Sequence, residues 1–271
     1  VPATTGTQLE VYYDGQDYTS MPTTVDNKMG VSTYDATSVN SVGFDSTYKA
    51  FTFDAASSQY LSSSTPVDGN YIHSISIWFK GTNLTPTAGD TLMWIGDNVN
   101  NERIEIYLES DKINYSFRTN DVEANIPLLN NRWYHLTVTY NGVAGVSGRE
   151  IYLDGVKQPT THTGNSAVLA VDNNTLNLGG FSGTSTTYMF SGSIANFRLY
   201  SKALNADQVK ELYDYQKDYF LGSKSQVTLY KGHLGVGVTE PSGQLELAGD
   251  ERIQEYPPRA MTGWETYMEG H

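Results

Sequence analysis

Short runs of strictly alternating apolar and polar residues, cut by Gly, Asn, Asp and Pro, constrain the fold of this chain more than any other feature. A period of two places successive side chains on opposite faces of an extended strand, so each run has one face built for burial. In ERIEIYLES, Ile104, Ile106 and Leu108 share one face, and Glu105, Tyr107 and Glu109 share the other. In YIHSISIWFKG, Ile75, Ile77 and Phe79 oppose Ser74, Ser76 and Trp78. Similar runs fall at 9–13, 51–53, 115–118 and 176–178. The breakers recur every ~8–12 residues, the spacing expected of a sandwich or barrel.

RWYHLTVTYNG puts Tyr134, Leu136, Val138 and Tyr140 on one face and Trp133, His135, Thr137 and Thr139 on the other. Asn141-Gly142 closes the run, and IYLDGVKQ reads as a hairpin with Asp154-Gly155 at its centre, a pair suited to positive φ. No Ser, Cys or carboxylate stands near His135 in a relay spacing, so this histidine is expected to be part of a sheet. Trp78, Trp94 and Trp133 lie inside apolar runs and are expected to pack, whereas Tyr18, Tyr34 and Tyr188 fall in loops where a ring could meet a sugar.

One helix is predicted, in KALNADQVKELYDYQKDYF. Asn205 caps it, Gln208 closes a capping box, and Val209, Leu212, Tyr213 and Gln216 lie along one stripe that Phe220 continues. Everything before it reads as strand, so the helix closes an all-β domain. After Leu221 the character changes. Two alternating runs, carrying Val236 and Val238 and then Leu245 and Leu247, flank Glu240-Pro241-Ser242-Gly243 and predict a hairpin. The expected organisation is a domain over 1–221 and a β-hairpin and irregular tail over 222–271.

The net charge of −13 and the lack of any Lys/Arg run argue against nucleic acid and anionic lipid as partners. There is no cysteine, which excludes disulfides and thiolate metal sites. No apolar run approaches the ~20 residues of a membrane helix, so membrane insertion is not expected. The ends, VPATTG and YMEGH, read as cuts in a longer polypeptide.

Five pieces in order carry a family resemblance: AFTFDAASSQYL, SISIWFKG, WYHLTVTYNG, IYLDGVKQ and FSGSIANFRLYSKALNADQVKELY. Together they resemble the laminin-G-like and pentraxin-like branch of the concanavalin A-like lectin/glucanase domains. The resemblance implies a two-sheet antiparallel jelly-roll sandwich with one late short helix. It also implies a glycan-binding or adhesion role, often with one calcium ion. VDNKMG is similar to the family's early Asp-x-Ser-Gly-x-Gly turn and maps Asp26 and Asn27 onto it. The second frequent calcium position has Asp-Asp in the family and Ala195-Asn196 here, which leaves Asp26, Asn27 and Asn196 as candidate ligands. That set carries fewer charged oxygens than calcium favours. Asp97-Asn98 is a second polar cluster.

Relatives of this fold also include hydrolases. Glu105-Ile106-Tyr107-Leu108-Glu109 resembles the Glu-x-Asp-x-Glu strand of laminarinase-like enzymes, with Tyr107 where the central Asp would stand. Residues four apart on a strand have backbones ~13 Å apart, while a retaining pair needs carboxyls ~5–5.5 Å apart. Glu105 and Glu109 are the fallback catalytic pair. LGVGVTEPSGQLEL in the tail resembles repeats in fibre and spike proteins of tailed phages and large algal DNA viruses. This implies an attachment module on a fibrous or virion scaffold, with a homotrimeric parent protein. The expected function is non-enzymatic binding of a glycan or glycoprotein surface, outside the cell or on a virion. A structural fibre module without sugar binding and a laminarinase-type hydrolase are the alternatives.

Overall fold

The computed structural model describes Pro2, residues 5–181 and 188–222, and the tail strands Val227–Tyr230, His233–Val236 and Leu245–Leu247. The chain divides into two compact units, Val1–Phe220 and Leu221–His271. The first is a two-sheet antiparallel sandwich with a single helix among the described residues, a jelly-roll architecture.

One sheet runs Val156–Lys157, Arg149–Leu153, Tyr134–Tyr140, His73–Gly81, Gly192–Tyr200, Ala50–Phe53, Gly43–Asp45, with Leu9–Tyr13 also paired to Gly192–Tyr200. The other runs Thr161–Gly164, Asn120–Asn125, Lys112–Ser116, Arg103–Glu109, Asp90–Gly96, Thr175–Leu178, Tyr60–Ser64, Ala36–Val39, Thr24–Val25. The alternation decides what fills the space between them. Ile75, Ile77, Phe79, Leu136, Val138 and Leu199 come from the first sheet, and Ile104, Ile106, Leu108, Ile113, Leu176 and Leu178 from the second, all fully or almost fully buried in one cluster. A side chain of this size contributes roughly 1.5–3 kcal/mol when fully buried.

The helix Ala206–Leu221 starts as its sequence predicts. The Asn205 N–H donates to Gln208 Oε1 at 3.1 Å, and the Gln208 N–H donates to Asn205 Oδ1 at 2.9 Å. Val209, Leu212 and Phe220 are buried, and the helix lies over the outward face of the eight-stranded sheet. Phe220 stacks on Trp78 at 4.4 Å, Tyr213 stacks on it at 5.9 Å, and the Trp78 indole N–H donates to Gln216 Oε1 at 3.2 Å. His135 sits beneath this layer, fully buried, with Nε2 at 2.8 Å from Ser76 Oγ and its ring 5.1 Å from that of Trp78. Its place is structural, and burial pushes its imidazole down to about 3, with Arg198 adding to the effect.

Two details depart from the alternation. The strand expected at 115–118 is Lys112–Ser116, because Arg118 (φ 54°) and Thr119 (φ 51°) are the left-handed pair of a tight reversal into Asn120–Asn125. Asp154 (φ 50°) and Gly155 (φ 77°) form the hairpin turn that their sequence predicts. In the tail, the runs flanking Glu240–Gly243 do not form an antiparallel hairpin: His233–Val236 pairs with Leu245–Leu247 in parallel. Its antiparallel partner is Val227–Tyr230, only two residues upstream, a connection too short for any other pairing. Val238 and Glu240 to Gly243 lie outside the described residues. No helix among the described residues is long and apolar enough to cross a membrane.

Candidate functional site

With Ile104, Ile106 and Leu108 committed to the core, Arg103, Glu105, Tyr107 and Glu109 are turned to the outward face of the nine-stranded sheet. Strand register builds that face in two rows. Glu105 lies opposite Trp94 on one side and Ser116 on the other, and Asp121 continues the row beyond Ser116. Tyr107 lies opposite Thr91 and Asn114, with Glu123 beyond Asn114. Ala88, Gly89, Phe181 and Tyr188 add loop walls, and the whole encloses a groove of about 470 Å³.

The groove is polar in its floor and aromatic along one wall. Trp94 is only 8% exposed; Phe181 stacks on it at 5.2 Å, the Arg103 guanidinium lies over it at 4.3 Å, and its N–H donates to the Gly96 carbonyl. Trp94 therefore packs, and the solvent-facing ring is Tyr188, 45% exposed and 5.9 Å from Phe181. Glu105, expected on an exposed face, is instead 6% exposed. Its Oε2 pairs with Arg103 Nη2 at 2.6 Å and its Oε1 accepts from Thr91 Oγ1 at 2.8 Å, which offsets the cost of burial. That burial still raises its carboxyl above the usual range, against the opposing pull of Arg103.

Asn98 organises the cations: its Oδ1 accepts from both Arg103 and Arg118. Its neighbour Asp97 turns to a different place, accepting from Asn173 Nδ2 at 2.7 Å beside a second, polar cavity of about 560 Å³ that includes Asp68 and Asp172. Two residues that line the groove each bury an atom without a hydrogen-bond partner, Arg103 Nε and Asp121 Oδ1. Asn114, 1% exposed on the same face, has neither amide atom bonded. Native buried polar groups are normally satisfied, so such atoms point to water or a ligand.

The fallback catalytic pair, Glu105 and Glu109, lines this groove with Tyr107 between them. Both Glu105 oxygens are taken, and no carboxylate stands at the central position. The calcium candidates Asp26, Asn27 and Asn196 sit in differing surroundings. Asn27 Oδ1 accepts from the Tyr12 and Met29 N–H groups, and its Nδ2 lies within bonding distance of the Glu10 and Val31 carbonyls, so the amide is a backbone clamp. Asp26 is exposed, and Asn196 occupies the irregular step (φ 52°) of Gly192–Tyr200. Among the described residues, no three His, Asp or Glu side chains come together as a metal set. Asn98 was marked in the sequence as part of a polar cluster, whereas Arg103, Arg118, Asp121 and Phe181 were not; the alternation Asp121-Val122-Glu123 was the signal available for one of them.

A laminin G family model, described as the concanavalin A-like lectin/glucanases superfamily, matches residues 53–210. The chain belongs to that superfamily. Among solved structures of this lectin/glucanase fold, domain 4 of an extracellular arabinanase from Geobacillus stearothermophilus, in complex with arabinotriose, matches at 18% identity with TM-score 0.56. The match covers 76% of this chain and 98% of that one. Botulinum neurotoxin type C, whose cell entry depends on two ganglioside molecules, matches at 16% identity and TM-score 0.56, over 77% of this chain and 51% of that chain. Trypanosoma rangeli sialidase in complex with sialic acid matches at 14% identity and TM-score 0.58, over 81% and 35%. This chain thus spans nearly all of the arabinanase domain, about half of the toxin chain and about a third of the sialidase. No curated protein matches the sequence.

Proposed function

We propose that this chain is a non-enzymatic glycan-binding module and that the groove over Tyr107 is its seat. The observation that carries this reading is a groove of about 470 Å³ whose lining sets the carboxylates of Glu109 and Asp121 and the guanidinium of Arg118 beside the rings of Tyr107, Phe181 and Tyr188. A sugar hydroxyl donates and accepts at once, and its ring C–H face packs on aromatic surface. The glycan and ganglioside ligands in the descriptions of the structural relatives support the same class of ligand. Titration calorimetry against glycans selected on an array tests it. Asp121→Ala and Tyr188→Ala should each weaken binding at least tenfold; an unchanged affinity in both would remove the groove from the account.

The setting that fits such a module is an extracellular or virion surface, within an attachment protein that engages a glycan or glycoprotein. The tail supports a homotrimeric parent, since a small sheet of three short strands is marginal alone. Light scattering on this chain and on one ending at Leu221 tests that part: a trimer only with the tail is expected, and two monomers at high concentration would refute it.

A further inference from the structure

We infer that the groove selects uncharged saccharides and rejects those bearing a carboxylate or sulfate, a selectivity that rests on the glycan-binding reading above. Its lining holds three carboxylates, Glu105, Glu109 and Asp121, against two guanidiniums, Arg103 and Arg118. Both guanidiniums are engaged: Arg103 with Glu105 and Asn98, Arg118 with the Asn98 carbonyl and side chain. Among the described residues neither Glu109 nor Asp121 has an ion-pair partner, so these are the charges an incoming acidic group would meet.

The centre of the floor reports the same potential. The Tyr107 phenol is pushed well above its ordinary range, first by burial and then by Asp121, Glu105, Glu109 and Glu123. The loop between Phe181 and Tyr188 contains no lysine or arginine to reverse this, and the chain carries −13 overall. Like charges opposed across a contact suppress a wrong ligand more strongly than a rim cation recruits a right one.

The test uses the intact chain on pairs of immobilised glycans that differ only by a terminal sialic acid or a sulfate. The neutral member of a bound pair should give at least tenfold the affinity of its acidic counterpart at low salt. The gap should narrow as salt rises, because screening weakens repulsion between groups in an open groove. Glu109→Gln should narrow it as well, and this separates charge rejection from steric blocking, which neither salt nor Glu109→Gln would relieve. Equal or tighter binding of the acidic members overturns the selectivity while leaving glycan binding in place. A gap insensitive to both salt and Glu109→Gln also overturns it. Binding of no member of any pair overturns the glycan reading, and the selectivity with it.

Discussion

Acid should loosen the packed layer beneath the helix, and His135→Gln should remove a measurable share of that sensitivity. His135 is fully buried, its Nε2 is used by Ser76, its Nδ1 has no partner, and Arg198 lies close enough to oppose a second positive charge. Its folded-state pKa of about 3 lies below the ordinary 6.5. Between those values the unfolded chain holds a proton that the folded chain does not, so the stabilisation is whole above 6.5 and is lost as pH falls towards 3. At about 1.4 kcal/mol per pH interval of one, lowering the pH from about 7.5 to about 4.5 should cost roughly 2.5 kcal/mol through this residue. His73, pushed down to about 4 by burial, adds a cost of the same sign. Asp90, raised to about 6 by burial, and Glu105 work in the opposite direction, because their folded forms take up protons first. The total pH dependence therefore mixes terms, but the difference between wild type and variant isolates His135. Glutamine can keep the bond to Ser76 and cannot titrate. Urea unfolding followed by tryptophan fluorescence at both pH values gives the number. Wild type should lose roughly 2.5 kcal/mol more than the variant, and equal losses would refute the argument.

Incubation of the wild-type chain with β-glucan should release no reducing sugar; release that disappears in both Glu105→Gln and Glu109→Gln would establish catalysis in the groove. The melting temperature should be the same in excess calcium and in chelator, since Asn27 is bonded on both sides of its amide; a rise with calcium that Asp26→Asn abolishes would restore a metal site. Gly179→Ala should lower stability by roughly 3 kcal/mol in chemical unfolding. Gly179 has φ 89°, and an added Cβ would stand 2.4 Å from the Phe53 ring.

What the sequence revealed and what it hid divide along a physical line. Alternation located strands such as Arg103–Glu109 because burial of Ile104, Ile106 and Leu108 is decided within one run, but it did not mark Asp90–Gly96, Asn120–Asn125 or Gly192–Tyr200, which also fill the core. The capping box at Asn205 and the turn at Asp154-Gly155 were equally local and equally readable. Phe117 was legible as an apolar position, but the end of its strand was not, because that end depends on Arg118 and Thr119 accepting positive φ, which neither residue type advertises. The groove was hidden for a stronger reason. Its lining comes from five separate segments, and the burial of Glu105 depends on Arg103 and Thr91 meeting it across the sheet. Alternation can say that Glu105 faces away from the core; it cannot say that Phe181 covers the neighbouring tryptophan.

Both sheets turn polar rows outward, yet only one outward face is taken up by the first unit's own helix. On the eight-stranded sheet, Ser76, Trp78 and His135 lie under Tyr213, Gln216 and Phe220: Ser76 and His135 bond each other, and Trp78 bonds Gln216 and stacks on Tyr213 and Phe220. A ligand there would have to displace a helix anchored by Val209, Leu212 and Phe220, three side chains each worth roughly 1.5–3 kcal/mol in burial. Among the described residues no helix covers Tyr107 on the nine-stranded sheet, where the groove stays open. A hydroxyl-rich ligand can rest on the groove lining there, against Tyr188 and Phe181, without displacing a helix. The helix, by closing one face, leaves the other as the face on which binding costs least.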